Sequence, residues 1–153
     1  AGLLTREAFN LLSKPVDELK VFISYRRQDS TAFALLVEAR LRLAGNHAVF
    51  VDKLLEVGGE WRSELENRIR ESKYFILLVG STTFDSEWVR REIDIAAEAG
   101  CIIVPIWQAD VPRDERTPEV INARQEIRVE RETAEGYETA ILKLLNRMGY
   151  ATY

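Results

Sequence analysis

Tyr74-Phe75-Ile76-Leu77-Leu78-Val79 is an unbroken apolar run of aromatic and branched side chains with no polar alternation. A strand that reads this way is buried on both faces, which is the mark of a parallel sheet enclosed between layers of helices. Working outward, runs of the same texture lie at 20–24 (Lys20-Val21-Phe22-Ile23-Ser24), 48–51 (Ala48-Val49-Phe50-Val51), 101–107 (Cys101-Ile102-Ile103-Val104-Pro105-Ile106-Trp107) and, more weakly, 126–129 (Glu126-Ile127-Arg128-Val129). Between them, amphipathic segments with helical spacing fall at about 30–44, 60–72, 86–99 and 135–148. The alternation predicts an α/β fold. Right-handed crossovers then carry every strand-to-helix loop to one edge of the sheet, where folds of this kind bind ligands. Segments 25–29, 52–59, 80–87 and 108–115 are expected to meet there.

Residues 1–19 carry a short helical pattern (Leu3, Leu4, Ala8, Leu11, Leu12) that stops at Ser13-Lys14-Pro15, and they read as a linker or lead-in helix. The start at Ala1-Gly2, without methionine, is the expectation for a piece of a longer polypeptide. The domain proper is expected at 20–148, with a C-terminal tail at 149–153.

Composition removes several classes of function. With 21 Lys and Arg against 25 Asp and Glu, the net charge of −4 supplies no field that would attract a polyanion, so nucleic acid is not expected as a partner. One cysteine, Cys101, allows no internal disulfide and suits a reducing, cytoplasmic compartment. Together with the one histidine, His47, it cannot assemble the nitrogen and sulfur ligands of a zinc site, and no metal is expected. No apolar run is long enough to span a membrane, and no signal-peptide pattern opens the chain. Neither GxGxxG nor GxxxxGK[ST] occurs. A triad would have to recruit His47, which precedes the second strand on the edge away from the loops.

Carboxylates remain, and one is singled out by its position. With Trp88 at zero on the helical wheel of 86–99, Ile95, Ala99, Ala96, Val89 and Ile93 span an apolar arc, and Glu92 falls inside it at about 40°. Arg90, Arg91, Asp94 and Glu98 occupy the opposite side. Glu92 lies little more than one turn from the helix start and so points toward the ligand-binding edge. A carboxylate in a partly dry cleft beside an indole has a raised pKa suited to acid, base or charge-stabilising work; alternatively an arginine tethers it at the edge of the core. The same exercise places Arg40 among Leu36, Phe33 and Val37, so the wheel alone does not decide. Ser24-Tyr25-Arg26-Arg27-Gln28-Asp29 brings an aromatic and two guanidinium groups to the same edge, where they either meet phosphate oxygens or are simply solvated. Trp61 either presents a flat face to a ring or packs with Leu65 and Ile69 as an i, i+4, i+8 core stripe. Trp107, at the end of its strand, reads as core.

Taken in order, Val21-Phe22-Ile23-Ser24-Tyr25-Arg26-Arg27, Val49-Phe50-Val51-Asp52 followed by Gly58-Gly59-Glu60-Trp61, Ser86-x-Trp88-x-x-x-Glu92 and Ile103-Val104-Pro105-Ile106 resemble a TIR (Toll/interleukin-1 receptor) domain over about residues 20–148. The resemblance implies a flavodoxin-like five-stranded parallel sheet in the order 2-1-3-4-5 with helices on both faces. It is closest to the branch that cleaves NAD+ at the nicotinamide–ribose bond, giving nicotinamide and ADP-ribose or a cyclic isomer, in immune or stress signalling. On that resemblance Glu92 is the catalytic glutamate. Tyr25, Arg26, Arg27, Asp52, Trp61, Ser86 and Trp88 form the substrate-binding set, and 52–59 is the loop that moves on activation and bridges neighbouring subunits. NAD+ is then a substrate rather than a cofactor, and the partners are further copies of the domain and other domains of a longer chain. Val89 stands where the family often has cysteine, as it does in other NAD-cleaving members. The family's other class, the assembly module without catalysis, is the alternative.

Overall fold

The computed structural model describes residues 19–52 and 60–150. Chain order is β1 (Val21–Ser24), α1 (Arg27–Leu43), β2 (Val49–Val51), α2 (Glu60–Glu71), β3 (Tyr74–Val79), a 3-10 turn (Thr83–Asp85), α3 (Glu87–Glu98), β4 (Ile102–Trp107), α4 (Glu119–Asn122), β5 (Ile127–Arg128) and α5 (Ala134–Arg147). All strand pairings are parallel, in the order β2-β1-β3-β4-β5. The architecture is therefore flavodoxin-like, as the apolar runs and the family resemblance together predict.

Alternation along the central strands sorts the core into two layers. Val21, Ile23, Ile76, Leu78, Val104 and Ile106 face α1 and α5, packing with Val37, Leu41, Ile141 and Leu144. Phe22, Phe75, Leu77, Val79, Ile103 and Trp107 face the other way, against Ile69 of α2 and Val89, Ile93, Ile95 and Ala96 of α3. On this second face Phe22 stacks between Phe50 and Phe75, with ring centroids 5.3 and 5.8 Å apart. Ser24, two residues after Phe22 and paired with Leu77, is carried by the same period toward α3.

Several local details depart from expectation. The first helix begins at Arg27 rather than 30 and is interrupted at Ser30 (φ −139°, ψ 20°), where the Ser30 hydroxyl donates to Gln108 Oε1 at 2.8 Å instead of extending a regular turn. The 3-10 turn and the four-residue α4 are too short to carry a readable period, and neither was expected. Ala99, placed on the apolar arc, is exposed because it caps the end of α3, where Gly100 (φ 76°) turns the chain into β4. Arg40 is tied to Glu138 of α5 rather than drawn into the core. Most of the lead-in segment 1–19, residues 53–59 of the loop and the end of the tail fall outside the described residues.

Candidate active site

Glu92 is 2% exposed, on the second turn of α3 and flanked by the buried Val89, Ile93, Ile95 and Ala96. The helix is held at its start by Ser86, whose Oγ accepts from the Val89 amide at 3.2 Å. Its apolar arc, centred between Glu92 and Ala96, seats the carboxyl against β1. There the buried Ser24 hydroxyl donates to Oε1 of Glu92 at 3.1 Å. Oε2 has no hydrogen-bond partner among the described residues. Burial is the main reason that the Glu92 carboxyl ionises well above the ordinary carboxylate range; the nearby charge of Asp52 pushes it further, and the Ser24 bond opposes both.

The expected site residues divide into three groups. Tyr25 and Asp52 stand with Glu92: the half-buried Tyr25 hydroxyl donates to the Asp52 carbonyl at 2.7 Å. Burial raises the pKa of this phenol and so makes it harder to ionise, the charges of Asp52 and Glu92 add to the rise, and the exposed Arg27 opposes it. Arg27, on the first turn of α1, therefore belongs to the same electrostatic neighbourhood. Arg26 and Ser86 act on the backbone instead. Arg26 Nη1 donates to the Thr82 carbonyl at 2.9 Å, and Ser86 is occupied as the cap of α3. The two tryptophans form the third group. Trp88 is half-buried with the Arg62 guanidinium 4.8 Å above its ring, and Trp61, 45% exposed, stays out of the core that Leu65 and Ile69 enter. The stripe expected for Trp61 thus holds only for its last two members.

Two residues that shape the site escaped sequence reading. Ser24 could have been found by extending the strand period from Phe22 to the face that Glu92 occupies. Asp29 had no such signal. Its carboxylate accepts from the Thr82 amide and hydroxyl and from the Thr83 hydroxyl at 2.8 to 3.0 Å, which locks the corner after β1 to the corner after β3. His47 lies exposed at the opposite edge of the sheet, beside Lys20 and Arg68. Among the described residues no cluster of acidic, histidine and cysteine side chains could hold a metal, and no helix is long and apolar enough to cross a membrane.

A buried carboxylate with one oxygen held and the other free is suited to stabilising a cation that develops beside it, because water screens it little there. Fold and site thus define a flavodoxin-like domain with a buried carboxylate, Glu92, held near the carboxyl edge of its sheet. The family model described as TIR domain matches residues 21–145, and the chain belongs to the TIR-domain family. It is similar to the NAD(+) hydrolase sarm1 of Drosophila melanogaster (36% identical over 111 residues, 66% of this chain and 8% of that protein). It is likewise similar to the NAD(+) hydrolase tir-1 of Caenorhabditis elegans (34% over 105 residues, 63% of this chain and 10% of that protein). The chain thus spans a tenth or less of these two relatives. Among solved structures, the TIR domains of the activated Roq1 resistosome superpose with a TM-score of 0.67 at 23% identity, covering 86% of this chain and 99% of that one.

Proposed function

We propose that this domain is an NAD+ nucleosidase with Glu92 as its catalytic group. The observation that carries the reading is the buried Glu92 carboxylate, with Oε1 bonded to Ser24 and Oε2 buried without a hydrogen-bond partner among the described residues. The NAD(+) hydrolase relatives support the substrate. As the bond between ribose C1′ and the nicotinamide nitrogen breaks, its electron pair leaves with the pyridine ring. Nicotinamide departs neutral and needs no acid, while positive charge develops on the ribose. The Glu92 carboxylate stabilises that charge or holds a ribose hydroxyl. Water then adds at C1′ and releases a proton, giving ADP-ribose, or in its place a nucleophile elsewhere in the ADP-ribosyl cation adds at C1′ and loses its proton, closing a cyclic isomer. One carboxylate suffices, and no cofactor is required.

Tyr25, Arg27 and Asp52 stand close enough to Glu92 to contact the substrate. Trp88 and Trp61 offer ring faces from α3 and α2, and Arg26 and Ser86 hold the loops in which these contacts sit. The unit of function is residues 20–148, within a longer polypeptide whose other domains govern it, acting in the cytoplasm in immune or stress signalling, without nucleic acid or membrane contact. Activity depends on homotypic assembly through 52–59. If the domain is instead only an assembly module, NAD+ survives while self-association persists.

The deciding experiment incubates concentrated purified protein with NAD+ and follows free nicotinamide. Glu92→Gln is expected to lower turnover by roughly two to four orders of magnitude with the fold intact. Near-normal turnover in that variant overturns the assignment. Activity is also expected to rise faster than linearly with protein concentration; strict proportionality counts against assembly.

A further inference from the structure

Ser24 is 1% exposed at the end of the central strand β1, and its hydroxyl donates its one proton to a carboxylate 68 residues away. Neighbouring charged groups do not duplicate that bond. Asp52, after β2, acts on Glu92 through its charge, and Tyr25 donates to the Asp52 carbonyl. On α2, Arg62 lies over Trp88 and Glu66 pairs with Arg91. On α3 itself, Arg90 donates to the carbonyls of Phe84 and Arg116. Arg27, on α1, opposes the rise at Tyr25. Among the described residues, Ser24 alone hydrogen-bonds the Glu92 carboxyl. A hydroxyl fixed by strand pairing on one oxygen sets the rotation of the whole group and thereby the direction of the other oxygen.

We propose that Ser24 is the positioning residue of this site: its hydroxyl holds Oε1 of Glu92 and thereby fixes the direction in which Oε2 meets the ribose. This inference rests on the nucleosidase reading for its consequence in catalysis, but the hydrogen bond is open to measurement without it. Donation to the charged form lowers the proton affinity of an acid, so removing the donor raises it.

The test compares Ser24→Ala with the unmutated protein at concentrations that support assembly. Two readouts are followed against pH: the carbon-13 signal of the Glu92 carboxyl, and the kcat and KM for NAD+. In Ser24→Ala the carboxyl titration and the acid limb of kcat are expected to move up together by about one pH unit, the scale of a hydrogen bond to a charged group. Below that limb kcat falls about tenfold, and above it kcat stays severalfold below that of the unmutated protein because Oε2 is no longer aimed, with KM unchanged. Ser24→Thr keeps the hydroxyl and is expected to titrate as the unmutated protein does. An unmoved carboxyl titration overturns the proposal, as does a kcat that alkaline pH restores in full. If the carboxyl titration moves but the unmutated protein leaves NAD+ intact, the nucleosidase reading fails and the placement of Ser24 stands.

Discussion

Asp29 and Thr82 meet across the carboxyl edge of the sheet: the Asp29 carboxylate accepts from the Thr82 amide at 2.9 Å and from the Thr82 hydroxyl at 2.8 Å. Thr83 adds a third bond, and Arg26 reaches the Thr82 carbonyl from the same corner. Gly80 permits the approach, since a Cβ there would lie 2.4 Å from the Asp29 Cβ and 2.6 Å from Gln108 Oε1. The loops beside the site are thus held by one carboxylate that the chemistry does not use.

Asp29→Ala leaves the Thr82 amide and hydroxyl without their acceptor and the Thr83 hydroxyl with only the Leu78 carbonyl, at 3.5 Å. Its expected cost is about 1–3 kcal/mol of folding stability, the penalty of unmade bonds in a half-buried place. Urea unfolding of both proteins measures it, and equal midpoints with equal slopes would mean that water replaces the clasp.

Glu92→Gln is expected to stabilise the fold at neutral pH while lowering turnover. In the unfolded chain this carboxyl ionises near its ordinary 4.5; in the folded protein it ionises well above that. Between the two values the folded state keeps a proton that the unfolded state has lost, so stability falls as pH rises through that window. Glutamine does not titrate. Its melting temperature should exceed that of the unmutated protein by a few degrees at neutral pH, the gap closing as pH drops toward 4.5. A gap independent of pH contradicts the elevated ionisation.

Asp52→Asn removes the second cause of that elevation. The acid limb of kcat should move to lower pH, opposite in sign to Ser24→Ala, leaving the variant severalfold faster on the acid side. Tyr25 keeps its bond, which is made to the Asp52 backbone. A limb that stays in place shows that the two carboxylates do not interact.

Beyond the site, Trp107 is completely buried with the guanidinium groups of Arg113 and Arg128 at 5.0 and 5.2 Å from its ring. Glu126 bridges them at 3.0 and 2.8 Å, and Arg128 also donates to the Val111 carbonyl at 2.6 Å. Arg128→Met is expected to cost about 1–2 kcal/mol, toward the low end because the guanidinium is partly exposed. Chemical denaturation reads this loss; a change under about 0.5 kcal/mol would place the stack among ordinary surface contacts.

The fold and the burial of Glu92 were legible along the chain because both are periodic. Apolar runs with no polar alternation announced strands buried on both faces, and a helical wheel set one acid among Val89, Ile93 and Ala96. Ser30 and the 3-10 turn were not legible, since their backbone follows side-chain bonds to Gln108 and Asp29 rather than local propensity. For the same reason nothing in the spacing of Arg26 and Ser86 revealed that both side chains would bind backbone.

By itself, then, the sequence determined the layers, the strand texture and the burial of Glu92, because residue period and hydrophobicity act locally along each element. Tertiary structure alone decided which oxygen of Glu92 is held, what charge lies beside it and which loops are clasped. Those depend on side chains such as Ser24 and Glu92 that only strand pairing and helix packing bring within 3.1 Å.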